Sequence, residues 1–287
     1  MYIVEFLKNL TKKSNIGVGI YLVLNVALII FMFGGFKSIS GFLLGISIYL
    51  VSLGIALSPV GEAILRWQTA CKTIKRQEDI EKITPLFEDV YKKAKRISPQ
   101  LPDDIKIYMC DDEAPNAFAT GRKTICITKG FLYYGDEEIK ATLAHEFGHL
   151  AKKDTDIILL VSVGNLIVNI TFFMIKILVS IVTIFLGKST EDIKLGVIIN
   201  VILFLAMKLW TRIGVLLCMH SSRLNEYEAD EYAMKCGYGE QLCTVLDEID
   251  SSGNQRKGLW SALTSSHPNS NSRIANLQQL GCMYRNV

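Results

Sequence analysis

Residues 145–149 read His-Glu-Phe-Gly-His, and soon afterwards the chain turns apolar from Ile157 to Leu186. This stretch decides the architecture, because it joins a candidate metal-binding helix to a candidate membrane helix. The first helix is expected over Glu137–Lys152, with Asp136 as its cap. Histidines at i and i+4 project from one helix face about one turn apart, so their nitrogens can bind one zinc ion at about 2.0–2.1 Å. Glu146 lies beside them, suited to act as a general base on a zinc-bound water. Ile139, Leu143, Phe147 and Leu150 form an apolar stripe at i, i+4, i+8 and i+11. His145 and His149 lie more than about 90° from the centre of that stripe, so the helix has a core face and a separate histidine face.

The composition agrees with a membrane setting. Of 287 residues, 50% are hydrophobic and 21% charged, with mean hydropathy +0.29. A soluble domain needs more surface charge than this, and disorder, collagen-like repeats and a small disulfide scaffold are excluded. A net charge of +3 gives no support to nucleic-acid binding. Cys71, Cys110, Cys126, Cys218, Cys236, Cys243 and Cys282 are scattered and odd in number, which indicates reduced thiols facing a cytoplasm, or buried as small apolar residues.

Four apolar runs are expected to span a bilayer: Ile16–Phe36, broken only by Asn25, then Ile39–Val60, Ile157–Leu186 and Ile193–Met219. The first is too long, and lacks the cleavage site, for a signal peptide. In the third run Ser162, Asn165, Asn169 and Lys176 share one face, pointing it at protein or a wet cavity. Lys8, Lys12 and Lys13 precede the first run; Arg66, Lys72, Lys75 and Arg76 follow the second. Lys152 and Lys153 precede the third, and Arg212 and Arg223 close the fourth. The two hairpin turns carry only Lys37 and Lys188, so both termini and the large polar segments are expected on the cytoplasmic side. The chain then divides into a transmembrane hairpin (16–60), a first cytoplasmic half (61–156), a second hairpin (157–219) and a second cytoplasmic half (220–287).

Within the polar segments, helices are expected over Gly61–Arg76, Pro85–Ile97 (capped by Thr84), Ser221–Cys236, Gly239–Ser251 and Ser272–Leu280. Asp104–Met109 alternates as a strand, and Ala117–Thr120 with Lys123–Thr128 form a hairpin about Gly121-Arg122. The segment Asn254–Ser266 is ambiguous.

A catalytic zinc needs a third protein ligand and a position for water. Glu226, Ala229, Asp230 and Ala233 lie at i, i+3, i+4 and i+7, two carboxylates on an otherwise alanine stripe that allows close approach to the histidine helix. Glu226 could ligate zinc while Asp230 orients a histidine. With Glu228 and Glu231 nearby, the same pattern also fits a solvated acidic face.

The chain resembles the HtpX and CAAX-prenyl-protease family of integral-membrane zinc metalloproteases. Pro-Asn-Ala-Phe-Ala-Thr-Gly at 115–121, the motif at 145–149, Arg-Leu-Asn-Glu-Tyr-Glu-Ala-Asp at 223–230, and His267-Pro268 with Arg273 carry the resemblance, and the four-run layout is similar to the HtpX branch. The resemblance implies His145, His149 and Glu226 as zinc ligands, Glu226 being preferred to Glu228, with Glu146 as base and Asp230 in support. It implies that Asn116, His267 and Arg273 face the active site, where an imidazolium or guanidinium can stabilise an oxyanion. It also implies that the hairpin from Ala117, Phe118 and Ala119 onward is the edge strand that takes an extended substrate. His267-Pro268-Asn269 departs from the family's His-Pro-Pro, and the stretch from Ser251 to His267 is short.

The resulting expectation is a mostly α membrane protein: four transmembrane helices plus a cytoplasmic α+β, zincin-like metalloprotease domain with a small sheet. One zinc ion per chain would serve a gluzincin-type endopeptidase of the bacterial inner (plasma) membrane, cleaving misfolded or damaged membrane proteins in quality control. The partners are polypeptides and the lipid bilayer, with no nucleic acid. The alternatives are a dedicated processing protease for one precursor, or a non-catalytic membrane scaffold stabilised by zinc.

Overall fold

The computed structural model describes residues 15–33, 37–187, 189–251 and 269–284. The expected roles of His267 and of 254–266 therefore lie outside the described residues, as do Lys8, Lys12, Lys13 and Lys188, the side chains of Ser162 and Asn165, and that of Arg223.

The chain is mostly helical. Among the described residues, three helical stretches are long and apolar enough to cross a membrane: α2 (Ile39–Ala56), Val168–Leu186 within α6 (Asp154–Leu186), and Thr190–Gly214 within α7 (Thr190–Lys235). The apolar α1 (Ile16–Met32) is shorter. At 1.5 Å per residue it covers about 26 Å, against a hydrocarbon core of about 30 Å. These helices meet where side chains are small or absent. A Cβ on Gly45 would fall 2.8 Å from the Ile30 Cα, and one on Gly214 would fall 2.4 Å from the Tyr21 ring. Asn25, the one polar break expected in the first run, is fully buried, and its Oδ1 accepts from the Trp210 indole N–H at 2.9 Å. Of the polar face expected on the third run, Lys176 lies 5.3 Å from the Phe204 ring centroid.

The polar domain contains a three-stranded sheet in the order β1-β3-β2, formed by β1 (Lys106–Cys110), β2 (Ala117–Thr120) and β3 (Thr124–Thr128). β3 runs parallel to β1, with Tyr108 opposite Cys126, and antiparallel to β2, with Ala119 opposite Ile125. β2 is thus an edge strand. Gly121 adopts φ +62° in its turn, where a Cβ would also strike the Glu62 side chain at 2.7 Å. The core forms between this sheet, α4 (Gln77–Ile97), α5 (Asp136–Lys152) and the end of α7. Phe87 of α4 and Phe147 of α5 have ring centroids 5.5 Å apart, and the Tyr232 hydroxyl of α7 donates to the Ala94 carbonyl of α4 at 2.9 Å. α8 (Gly239–Ser251) and α9 (Ser270–Gln279) close the other side.

Three sequence expectations change. The helix expected to begin at Pro85 begins at Gln77 and carries Pro85 inside it. Its buried stripe of Asp79, Ile83, Leu86, Phe87, Val90 and Ala94 crosses the proline, and burial of that stripe outweighs the lost backbone bond. The helix expected to reach Arg76 is α3 (Pro59–Gln68). It stops at a left-handed Ala70 so that Lys72 can exchange both backbone hydrogen bonds with Met109 at 2.9 Å. The helix expected over Ser221–Cys236 is not separate, because α7 runs unbroken for 46 residues from the apolar segment into the polar domain.

α5 and α7 approach each other at Gly148. A Cβ there would lie 2.9 Å from the Ala229 Cα and 3.0 Å from the Tyr232 Cβ. Gly148→Val should therefore push the two helices apart and destabilise the fold by about 1–3 kcal/mol. Thermal unfolding of detergent-solubilised protein measures this; an unchanged midpoint would show that the approach is not tight.

Candidate metal centre

α5 is amphipathic, with Ile139, Leu143 and Phe147 fully buried on its core side. His145 and His149 leave its other side towards α7. The helix ends where Lys153 turns left-handed at φ 63°, which places Asp154 at the start of α6 and within reach of the histidine one turn back. α7 brings Glu226 and Asp230 to the same point on its alanine face, with Ala229 and Ala233 fully buried. α9 supplies Arg273 from the C-terminal side.

The geometry is compact. The Nε2 atoms of His145 and His149 are 3.2 Å apart, and each lies 3.4 Å from a carboxylate oxygen of Glu226. The two contacts go to different oxygens of Glu226, Oε2 and Oε1, and one ligand atom from each of the three residues lies within 4.8 Å of the others. The ligand atoms of a four-coordinate ion bound at about 2.0–2.1 Å stand about 3.3 Å apart, so the donor set fits zinc with a small turn of the carboxylate. Each imidazole has a carboxylate behind it: His145 Nδ1 is 2.9 Å from Asp230 and His149 Nδ1 is 3.3 Å from Asp154. A carboxylate only accepts, so both Nδ1 atoms carry a proton and both Nε2 atoms are turned to the metal position.

The electrostatics also suit a cation. Glu146, Glu226 and Asp230 are buried around Arg273, and Asp154 is buried behind His149. Arg273 grips Asp230 with Nε at 2.8 Å and Nη2 at 2.5 Å, and its Nη1 is 3.2 Å from Glu226. Burial works against ionisation of Asp230, but Arg273 and His145 outweigh it and hold the carboxyl down at about 2. Burial pushes His149 towards neutrality, yet Asp154 and Glu226 raise its pKa well above the ordinary histidine value; His145 is raised through Asp230 and Glu226. The cluster thus favours added positive charge. A metal ion entering it displaces protons, so its affinity falls as the pH drops.

Glu146 is buried on the same helix, and its carboxylate accepts the Ala119 backbone N–H at 2.5 Å. The edge strand is thereby tied to the candidate base. The Asn116 N–H donates to the Thr128 hydroxyl at 2.8 Å and its carbonyl accepts the Thr128 N–H at 2.9 Å, fixing the entry to β2. Phe118 is half-buried in β2.

Of the residues singled out from the sequence, the structure brings together His145, His149, Glu146, Glu226, Asp230, Arg273 and Ala119. Glu228 points elsewhere, with its carboxylate 3.2 Å from Lys152. Sequence reasoning missed Asp154 and the Ala119 amide. Asp154 carried a signal as the first acidic residue after the motif, but its orientation depends on the left-handed Lys153. The amide carried none, because every residue but proline has one.

Helices able to cross a membrane and a buried set of two imidazoles and a carboxylate define a membrane metalloprotease. The chain belongs to peptidase family M48, whose model matches residues 76–280. Among its relatives, Protease HtpX of Shewanella halifaxensis is 25% identical over 258 residues, covering 82% of this chain and 88% of that one. Protease HtpX of Shewanella pealeana is 26% identical over 216 residues, covering 71% and 73%. The crystal structure of S. mikatae Ste24p aligns with 96% of this chain and 65% of its own, at 23% identity and a TM-score of 0.46.

Asp230→Asn removes the buried negative charge that faces both Arg273 and His145. It should cost about 3–5 kcal/mol of stability and weaken zinc retention about 10–100-fold. Because the Asp230 pKa is depressed, its contribution is present above the unfolded value of about 4 and is lost as the pH falls towards about 2. Unfolding midpoints between these pH values should fall for the wild type and stay flatter for Asp230→Asn; parallel curves would contradict the assignment.

Proposed function

We propose that this chain is a zinc-dependent endopeptidase of the gluzincin type that cleaves misfolded or damaged membrane proteins on the cytoplasmic side of a bacterial inner membrane. One observation carries the reading: two imidazole nitrogens and a carboxylate gathered within 4.8 Å, beside a buried glutamate that is hydrogen-bonded to an edge strand. In this proposal α1 is a fourth span, 16–60 and 157–219 are the two membrane hairpins, and 61–156 with 220–287 form one cytoplasmic protease unit. The lysines and arginines flanking the apolar runs support that orientation.

His145 and His149 would hold zinc through Nε2, and Glu226 through a carboxylate oxygen. When bound, zinc supplies a Lewis acid and lowers the pKa of a bound water to about 7. Glu146 takes the proton released as the nucleophile attacks the scissile carbonyl, then gives it to the leaving amine. The stretch Asn116, Ala117, Phe118 and Ala119 would receive an extended substrate, which adds alongside the outer edge of β2 and is presented to Glu146. Arg273 is assigned a positioning role in place of the expected oxyanion contact, because its guanidinium holds Asp230 and Glu226. By the family resemblance, His267 remains the oxyanion donor.

Unfolded casein, detergent-purified protein and added zinc provide the test. Glu146→Gln should keep one zinc per chain and lose about 10²–10⁴-fold in cleavage rate; a chelator should stop the wild type. Wild-type cleavage by Glu146→Gln would overturn the mechanism. Zinc binding with no cleavage of any membrane or soluble protein would instead indicate the zinc-stabilised scaffold.

A further inference from the structure

A second cluster of soft ligands lies away from the histidines. Cys71 follows α3, Cys110 ends β1 and Cys126 sits in β3, and their sulfur atoms all lie within 4.8 Å of one another. Topology makes this possible. The Lys72–Met109 bridge lays the chain after α3 alongside β1, and the parallel β1–β3 register sets Tyr108 against Cys126. Cys110, two residues beyond Tyr108, shares its face of the sheet. The Cys110 and Cys126 sulfurs are 3.1 Å apart. Both residues are buried, while Cys71 is half-buried and opens the cluster to solvent. Thr69 completes the surroundings, its hydroxyl 3.1 Å from the Cys71 sulfur and its carbonyl accepting from the Cys110 thiol at 3.1 Å. The other cysteines do not repeat the arrangement among the described residues; Cys243 and Cys282 form only a pair, 3.9 Å apart.

We propose that Cys71, Cys110 and Cys126 form a second, all-sulfur metal site for a thiophilic divalent d10 cation of the zinc or cadmium type. The donor set is the argument. Three thiolates with no nitrogen or carboxylate select soft ions. Metal–sulfur bonds of about 2.3 Å place three coplanar thiolates about 4 Å apart, so the Cys110–Cys126 edge opens slightly while the others keep their present range. A divalent ion on three thiolates leaves one net negative charge beside Arg66, a smaller buried excess than a monovalent ion would leave. Binding expels the thiol protons to solvent, and the open side at Cys71 admits a fourth ligand. An occupied site would staple the segment leaving the membrane after α2 and α3 to the sheet whose far edge is β2.

The probe is Cd2+ added alone to the full-length, detergent-purified protein kept reduced. Thiolate-to-cadmium charge transfer gives an ultraviolet band that a site of two histidines and a glutamate cannot produce. The expected result is a band saturating at one cadmium per chain and a raised unfolding midpoint. Both should be weakened at least tenfold in apparent affinity by Cys71→Ser and by Cys126→Ala, and left unchanged by Cys236→Ala. Cys71 is half-exposed, so its variant stays informative if the buried Cys126→Ala fails to fold. Absence of the band in the reduced wild type overturns the proposal, as does a band that survives Cys71→Ser. A Cys110–Cys126 disulfide that persists under reductant and excludes cadmium overturns it too.

Discussion

The contact of α5 with α7 at Gly148 is the constraint on which the rest depends. Without a side chain at 148, the backbone of α5 comes close enough to Ala229 for His145, His149 and Glu226 to meet at a single point. A glycine within a helix costs about 0.5–1 kcal/mol relative to alanine. Here that cost secures a short interhelical distance that a larger side chain would forbid. The alanines of α7 serve the same end from the other side.

Close approach creates an electrostatic problem, since it buries several carboxylates together. Arg273 answers part of it from α9, and the proton-bearing Nδ1 atoms of the two histidines answer more. What is left favours a cation at the Nε2 positions. The same groups that would hold a metal are thus oriented before it arrives, by carboxylates themselves fixed in helices.

The site is also mechanically continuous with the apolar helices. α7 carries an apolar stretch at one end and Glu226 and Asp230 at the other, and α6 begins with Asp154 behind His149. On the opposite flank α3 leads from α2 to the segment that pairs with β1. The Glu62 carboxylate accepts the Arg122 backbone N–H at 3.0 Å, and the Arg122 side chain is 3.3 Å from Asp156. The turn between β2 and β3 is therefore pinned to α3 and α6 at once.

The local elements were written in the sequence, because they depend on periodicity and short-range spacing. The histidine pair, the core stripe of α5, the strands at 117–120 and 124–128, α8, and the apolar runs were all legible there. The motif at 223–230 named Glu226 and Asp230 as candidates but left Glu228 open on spacing alone. Tertiary structure separated them, by turning Glu226 to the histidines and Glu228 to Lys152. Pro85 and the end of α3 were misjudged for a related reason: local rules stop a helix at proline and continue one through Arg76, whereas burial of a long stripe and pairing with Met109 decided otherwise. The role of Asp154, the Ala119 amide, the grip of Arg273 on Asp230 and the meeting of three cysteines were decided only by the fold. Each joins groups whose partners are set by backbone direction or by elements far apart in the chain, and no spacing in a sequence encodes that.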